Sequence, residues 1–87
     1  MRVEVKAFAT LRAFLPPGSR QSSPLDVPAG STVRDAARAL GIADEVALIA
    51  LLNGREADPG DPLQEGDVVT LFPPLSGGRA AGRLRGG

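Results

Sequence analysis

The sequence contains no cysteine and no histidine. Their absence removes a thiol nucleophile, a disulfide framework, an imidazole base and the usual zinc ligands. Tryptophan and tyrosine are also missing, and the three aromatic residues, Phe8, Phe14 and Phe72, are too few for a base-stacking platform. No window approaches the roughly 20 apolar residues of a membrane span. Met1–Lys6 alternates like a strand instead of opening an apolar signal segment. No membrane partner is expected, and the cytoplasm is the expected location. Any chemistry is left to carboxylates, hydroxyls, the single lysine Lys6, the arginines or the chain terminus.

What is present fits one small core. Hydrophobic residues make up 43% of the 87, carried by Val, Leu, Ile and Ala, which suffices for a single domain but leaves little room for a deep substrate cleft. Ten basic and ten acidic residues cancel, yet they are unevenly placed. All ten acids lie between Glu4 and Asp67, so residues 1–78 carry seven bases against ten acids. Arg79, Arg83 and Arg85 make the last nine residues net +3. Three charges on a chain of zero net charge are a weak nucleic-acid signal, and no nucleic-acid partner is expected.

Along the chain, Val3, Val5 and Ala7 alternate with Arg2, Glu4 and Lys6, the period of a strand with one buried face, over Arg2–Phe8. A short helical turn around Leu11–Leu15 precedes the loop opened by Pro16-Pro17-Gly18. Pro24–Pro28 reads as a brief strand that its prolines confine to an edge. Ser31-Thr32 can cap a helix over Val33–Leu40, with Asp35 in the first turn and Gly41 at the C′ position. Val33, Ala36, Ala37 and Leu40 form its apolar stripe. The run Val46–Leu52 ends in Asn53-Gly54, a strong hairpin signal, with Arg55–Ala57 as the return strand. Leu63 is expected to anchor the loop that follows, and Glu65-Gly66-Asp67 turns into a last strand, Val68–Phe72, stopped by Pro73-Pro74.

One helix among five strands is an α+β pattern, and a single helix laid across a mixed sheet is the β-grasp arrangement. The expected core comprises Val3, Val5, Val33, Leu40, Leu51, Val69 and Leu71. The domain is expected over residues 1–75. From Ser76 onward, glycines, arginines and small residues offer almost nothing to bury, so 76–87 is expected to be a flexible, disordered tail. Asp58, Asp61, Glu65 and Asp67 lack EF-hand spacing and sit among turn-forming prolines and glycines, so no metal site is expected there.

The segment LLNGREADPGDPLQEGDVVTLFPPLSGG, residues 51–78, resembles the small subunit of molybdopterin synthase and its relatives, the thiamine-pathway sulfur carriers and ubiquitin-like proteins. KAFATLRAF and AGSTVRDAARAL upstream are similar too, so the likeness spans nearly all of 1–78, with FPPLSGG its specific element. The resemblance implies a ubiquitin-like β-grasp that is a carrier and not an enzyme. It implies that a ubiquitin-activating-like partner uses ATP to adenylate the terminal glycine, which becomes a thiocarboxylate. That thiocarboxylate donates sulfur to a pterin precursor in the large subunit of molybdopterin synthase. No cofactor is implied on the chain itself. The alternative is a protein modifier joined to target lysines.

The ending suits that chemistry on physical grounds. An α-carboxylate, with a pKa of roughly 3.5, is ionised at neutral pH and is a poor electrophile until it becomes a mixed anhydride. Two glycines give a thin backbone that threads a narrow channel in almost any conformation. Family carriers normally stop at the pair matching Gly77-Gly78, whereas here Arg79 to Gly87 follow, so Gly78 has no free carboxylate. Three alternatives are open: a protease processes the tail to expose Gly78, the tail with its own Gly86-Gly87 is the working end, or the tail is an appended segment. The candidate reactive residues are therefore Gly78, or alternatively Gly87, with Gly77 and Gly86 beside them. Phe72, Pro73, Pro74 and Leu75 are the candidate binding residues. Alternation puts Phe72 opposite Val69 and Leu71; it is either an exposed docking aromatic or packed beneath the Phe14 loop.

Overall fold

The computed structural model describes residues 1–74. Strands β1 (Arg2–Ala7), β2 (Ser22–Asp26), β3 (Ile49–Leu52), β4 (Arg55–Ala57) and β5 (Val68–Phe72) form one sheet in the order β2-β1-β5-β3-β4. A 3₁₀ turn, Ala9–Phe14, follows β1, and the helix α1 spans Val33–Ala39. β1 and β5 run parallel at the centre while the other pairs are antiparallel. The sheet is therefore mixed and carries one main helix, the α+β arrangement expected from the pattern. Among the described residues no helix is long and apolar enough to cross a membrane. The tail, including the expected disorder of 76–87, lies outside the described residues.

The alternation of β1 and β5 sets the core. Val5 stands opposite Val69 and Ala7 opposite Leu71, all four fully buried, with Val3 and Val33 beside them. Leu63 is buried as the loop anchor and Leu11 as the anchor of the 3₁₀ turn. β2 lies at the sheet edge, where Pro24 opposite Glu4 costs no central ladder bond. It begins at Ser22, two residues ahead of the expected start, because Ser22 and Ser23 pair with Lys6 and Val5.

Two expected core residues are half-buried instead. Leu51 lies on the outer face opposite Thr70, and the inner positions of β3 are Ala50 and Leu52, opposite Leu71 and Val69. β3 is also shorter than the expected Val46–Leu52. Its pairing starts where Ile49 meets Phe72, and Pro73-Pro74 beyond have no N–H to extend the ladder. Leu40 is the C-cap of α1 and packs at the margin of the core. Ile42, 2% exposed, takes the buried place one turn on. Gly41 at φ +91° donates to the Arg38 carbonyl and Ile42 to that of Ala37, the paired bonds of a Schellman ending. At the other end, the Thr32 hydroxyl accepts from Asp35 N–H at 3.3 Å and the Asp35 carboxylate accepts from Thr32 N–H at 2.9 Å, a complete capping box.

The Asn53-Gly54 turn has φ of +53° and +87°, as a two-residue hairpin of type I′ requires. The Asn53 side-chain oxygen accepts from Val68 N–H at 2.9 Å and its amide donates to Asp67 at 3.0 Å, clamping the hairpin to the start of β5. Asp67 also accepts from Gln64 N–H and Asp61 from Asp58 N–H, so these carboxylates serve as turn caps. Arg38 grips Asp44 through Nε at 2.9 Å and Nη2 at 2.5 Å, tying α1 to the loop after it.

Leu71 is fully buried in the central strand, so Leu71→Ala is expected to lower unfolding free energy by about 2–5 kcal/mol in chemical denaturation. The Arg38 hydrogen bond holds the Asp44 carboxyl below its ordinary range. A depressed carboxyl contributes stability above its unfolded pKa, near 3.9, and loses it as pH falls through the native value. Any difference in urea midpoint between the wild type and Asp44→Asn is therefore expected at neutral pH and is expected to vanish in acid.

Candidate functional site

The site is the outer face of the sheet where β5 ends. Val68 and Phe72 of β5 share that face with Ile49 and Leu51 of β3 because Phe72 pairs with Ile49 and Thr70 with Leu51. All four apolar residues are half-buried. None of them packs against the buried core, whose half-buried neighbours include Phe14 but not Phe72. Phe72 therefore stands half-buried on the outer face of β5, outside the core cluster. Glu4 and Lys6 flank the patch on the β1 side and Glu56 on the β4 side.

Phe72 and the half-buried Pro73 lie at the margin of this patch, and Pro74 is exposed. The proline pair restricts the backbone where the chain leaves the sheet. Leu75, Gly77, Gly78, Gly86 and Gly87 lie outside the described residues. Among the described residues no cluster of three or more Asp, Glu, His or Cys side chains is placed to hold a metal. The carboxylates held below their ordinary range are Asp26, hydrogen-bonded to Arg2 on the β1–β2 part of the sheet, and Asp44, hydrogen-bonded to Arg38 after α1; both belong to exposed ion pairs outside the apolar patch. The arrangement offers an apolar docking surface beside a stiffened exit for the chain.

Ile49 and Leu51 are site residues that periodicity does not reveal, because Val46–Leu52 is apolar at almost every position. Register supplies the missing signal. A two-residue Asn53-Gly54 turn makes Leu52 pair with Arg55 and Leu51 with Glu56. The apolar partner Ala57 opposite Ala50 then marks the inner face, which leaves Leu51 and Ile49 on the outer one.

The ThiS family model matches residues 5–78. The crystal structure of SAMP1 from Haloferax volcanii is 34% identical with a TM-score of 0.70, covering 90% of this chain and 100% of that one. A Pyrococcus furiosus protein named as a putative molybdopterin converting factor, subunit 1, is 26% identical with a TM-score of 0.65, covering 85% of this chain and 98% of its own. The complex of subunits 1 and 2 of molybdopterin-converting factor from Helicobacter pylori contributes a chain 24% identical with a TM-score of 0.58, over 90% of this chain and 100% of that one. The last is a likeness of fold alone. No curated protein matches the chain.

Because Phe72 is off the core, Phe72→Ala is expected to cost about 1 kcal/mol or less in chemical denaturation. A loss equal to that of Leu71→Ala would place Phe72 among the core residues.

Proposed function

The chain belongs to the ThiS family, and from that membership we propose that it is a sulfur carrier whose reactive group is the carboxylate of Gly78. The observation that carries this reading is the extent of the family match, which ends at residue 78 on the Gly77-Gly78 pair. The chain is the substrate of the chemistry and not its catalyst. An ATP-dependent adenylating enzyme converts the carboxylate into an acyl adenylate with release of pyrophosphate, and a sulfur donor then displaces AMP to leave the thiocarboxylate. ATP belongs to that partner, and no cofactor is assigned to this chain. The outer patch around Phe72 docks the partner while the glycine pair enters its active site.

The sulfur acceptor we propose is a pterin precursor held by a molybdopterin synthase large subunit. The likeness to molybdopterin converting factor subunit 1 supports that choice. The compartment is the cytoplasm. A second reading, a modifier that forms amides with target lysines, is favoured by the 34% identity to SAMP1 of Haloferax volcanii, named small archaeal modifier protein 1. Both readings share the activation step and the same docking face.

In the 87-residue chain Gly78 is joined to Arg79, and an amide cannot replace a free carboxylate in adenylation. The carrier reading therefore requires hydrolysis of the Gly78–Arg79 bond by a protease. A chain ending at Gly78 keeps every described element and is expected to be the better substrate of a molybdopterin-type activating enzyme in ATP–pyrophosphate exchange. Activity confined to the 87-residue chain would move the reactive end to Gly87. Phe72→Ala is expected to weaken this exchange; unchanged exchange would place the docking surface elsewhere.

A further inference from the structure

Charge is unevenly shared over the described body. Residues 6–21, which run from the end of β1 through the 3₁₀ turn to the start of β2, carry Lys6, Arg12 and Arg20 and no acid. The rest of residues 1–74 carries ten acids against four bases, a net of −6. All three bases of the stretch are exposed. The ion pairs among the described residues use Arg2 and Arg38, so a neighbouring carboxylate neutralises none of the three. Residues 75–87 hold no acidic side chain that could do so.

The register brings this stretch to one side of the outer patch. Lys6 stands between Ser22 of β2 and Thr70 of β5, Thr70 faces Leu51, and Leu51 faces Glu56 of β4. A base thus flanks the row on the β1 side and an acid on the β4 side. One step further along the strands, the Ala7 N–H donates to the Gln21 carbonyl at 2.8 Å and the Phe8 N–H to that of Leu71 at 3.0 Å. Arg20, the residue before Gln21, therefore lies at the β2 edge near the row that holds Phe72 and Ile49.

Arg12 is carried by the 3₁₀ turn, which a strained residue introduces. Ala9 has φ of +54°, a left-handed conformation that crowds a Cβ. The Phe8 bond before it, the Leu11 N–H donating to the Phe8 carbonyl at 3.1 Å and the burial of Leu11 hold the backbone there. Strain of this kind persists where surrounding contacts over-determine it, and such positions cluster at functional sites. The turn therefore presents Arg12 from a fixed backbone.

We propose that Lys6, Arg12 and Arg20 form a basic flank of the docking face, which the adenylating enzyme meets with carboxylate side chains on the β1–β2 side. The inference rests on the reading of the outer patch as that enzyme's docking surface. Apolar burial is non-directional, so the patch alone accepts a partner in more than one orientation. A base on one side and an acid on the other admit one orientation, because the reverse places like charges together. Such a flank steers encounter and fixes the orientation of the bound domain more than it adds affinity.

The test is the rate of ATP–pyrophosphate exchange by a molybdopterin-type activating enzyme at low ionic strength, over a range of concentrations of the 87-residue chain and of the chain ending at Gly78. Lys6→Glu combined with Arg20→Glu is expected to raise the KM for the chain about tenfold with kcat unchanged, and adding Arg12→Glu to raise it further. Arg34→Glu combined with Arg55→Glu changes the net charge equally at exposed bases outside residues 6–21 and is expected to raise KM less than about twofold. The conservative pair Lys6→Arg and Arg20→Lys is expected to behave as wild type. Salt at about 1 M is expected to bring the wild-type KM to that of the charge-reversed flank, because it screens exposed charges. Exchange that responds equally to the two charge-reversed pairs would overturn the flank and leave the activating-partner reading in place. A rise in the KM for ATP in place of that for the chain would overturn it too, by assigning the bases to the nucleotide. No exchange with either wild-type chain would overturn the flank and the activating-partner reading together.

Discussion

The parallel pairing of β1 with β5 joins the first strand to the last, and the placement of every other element depends on it. Glu4 N–H donates to the Asp67 carbonyl at 2.9 Å and Phe8 N–H to that of Leu71 at 3.0 Å, bracketing the pair at both ends. Between them Val5, Ala7, Val69 and Leu71 close the core beneath α1. A parallel pair cannot be joined by a tight turn, so the intervening chain must supply a crossover, and here α1 is part of it. β2 and β3 then add on either side. β5, the last described strand, is thus held on both edges, by β1 and β3.

From that constraint follows a division of tasks across the sheet. The inner face is spent on stability, with Val3, Val5, Val69 and Leu71 each at most 1% exposed. The outer face of β5 and β3 presents the half-buried Val68, Phe72, Ile49 and Leu51 around Thr70, the patch to which the proposed function assigns docking. The proposed function places the reactive group on a glycine carboxylate, a role that needs neither of the side chains this sequence lacks, cysteine and histidine. Damage to one face is then separable from damage to the other by denaturation and exchange measurements.

Much of this was legible in the sequence because local and global signals agree. β1, β4 and β5 follow from alternation and from Asn53-Gly54, and the Thr32 cap, the Gly41 ending and the Leu63 anchor each have their own residue signature. Errors arose where a signal was one-dimensional. The apolar run Val46–Leu52 has no period to separate Leu51 from Ala50, and its length exceeds what a β5 stopped by Pro73-Pro74 can pair. Leu40 fits the stripe by spacing, yet the Schellman ending turns the chain so that Ile42 takes the buried place. FPPLSGG marks the candidate site by likeness, whereas the outer placement of Phe72 needed the register.

The central claim is that the working end is Gly78, freed from the residues that follow it and carrying sulfur. The intact mass of the protein isolated from its own cells tests it most directly. The account predicts a chain ending at Gly78, with a fraction heavier by the exchange of one oxygen for sulfur. Recovery solely of chains that continue past Gly78, together with adducts on lysines of other proteins, would contradict it.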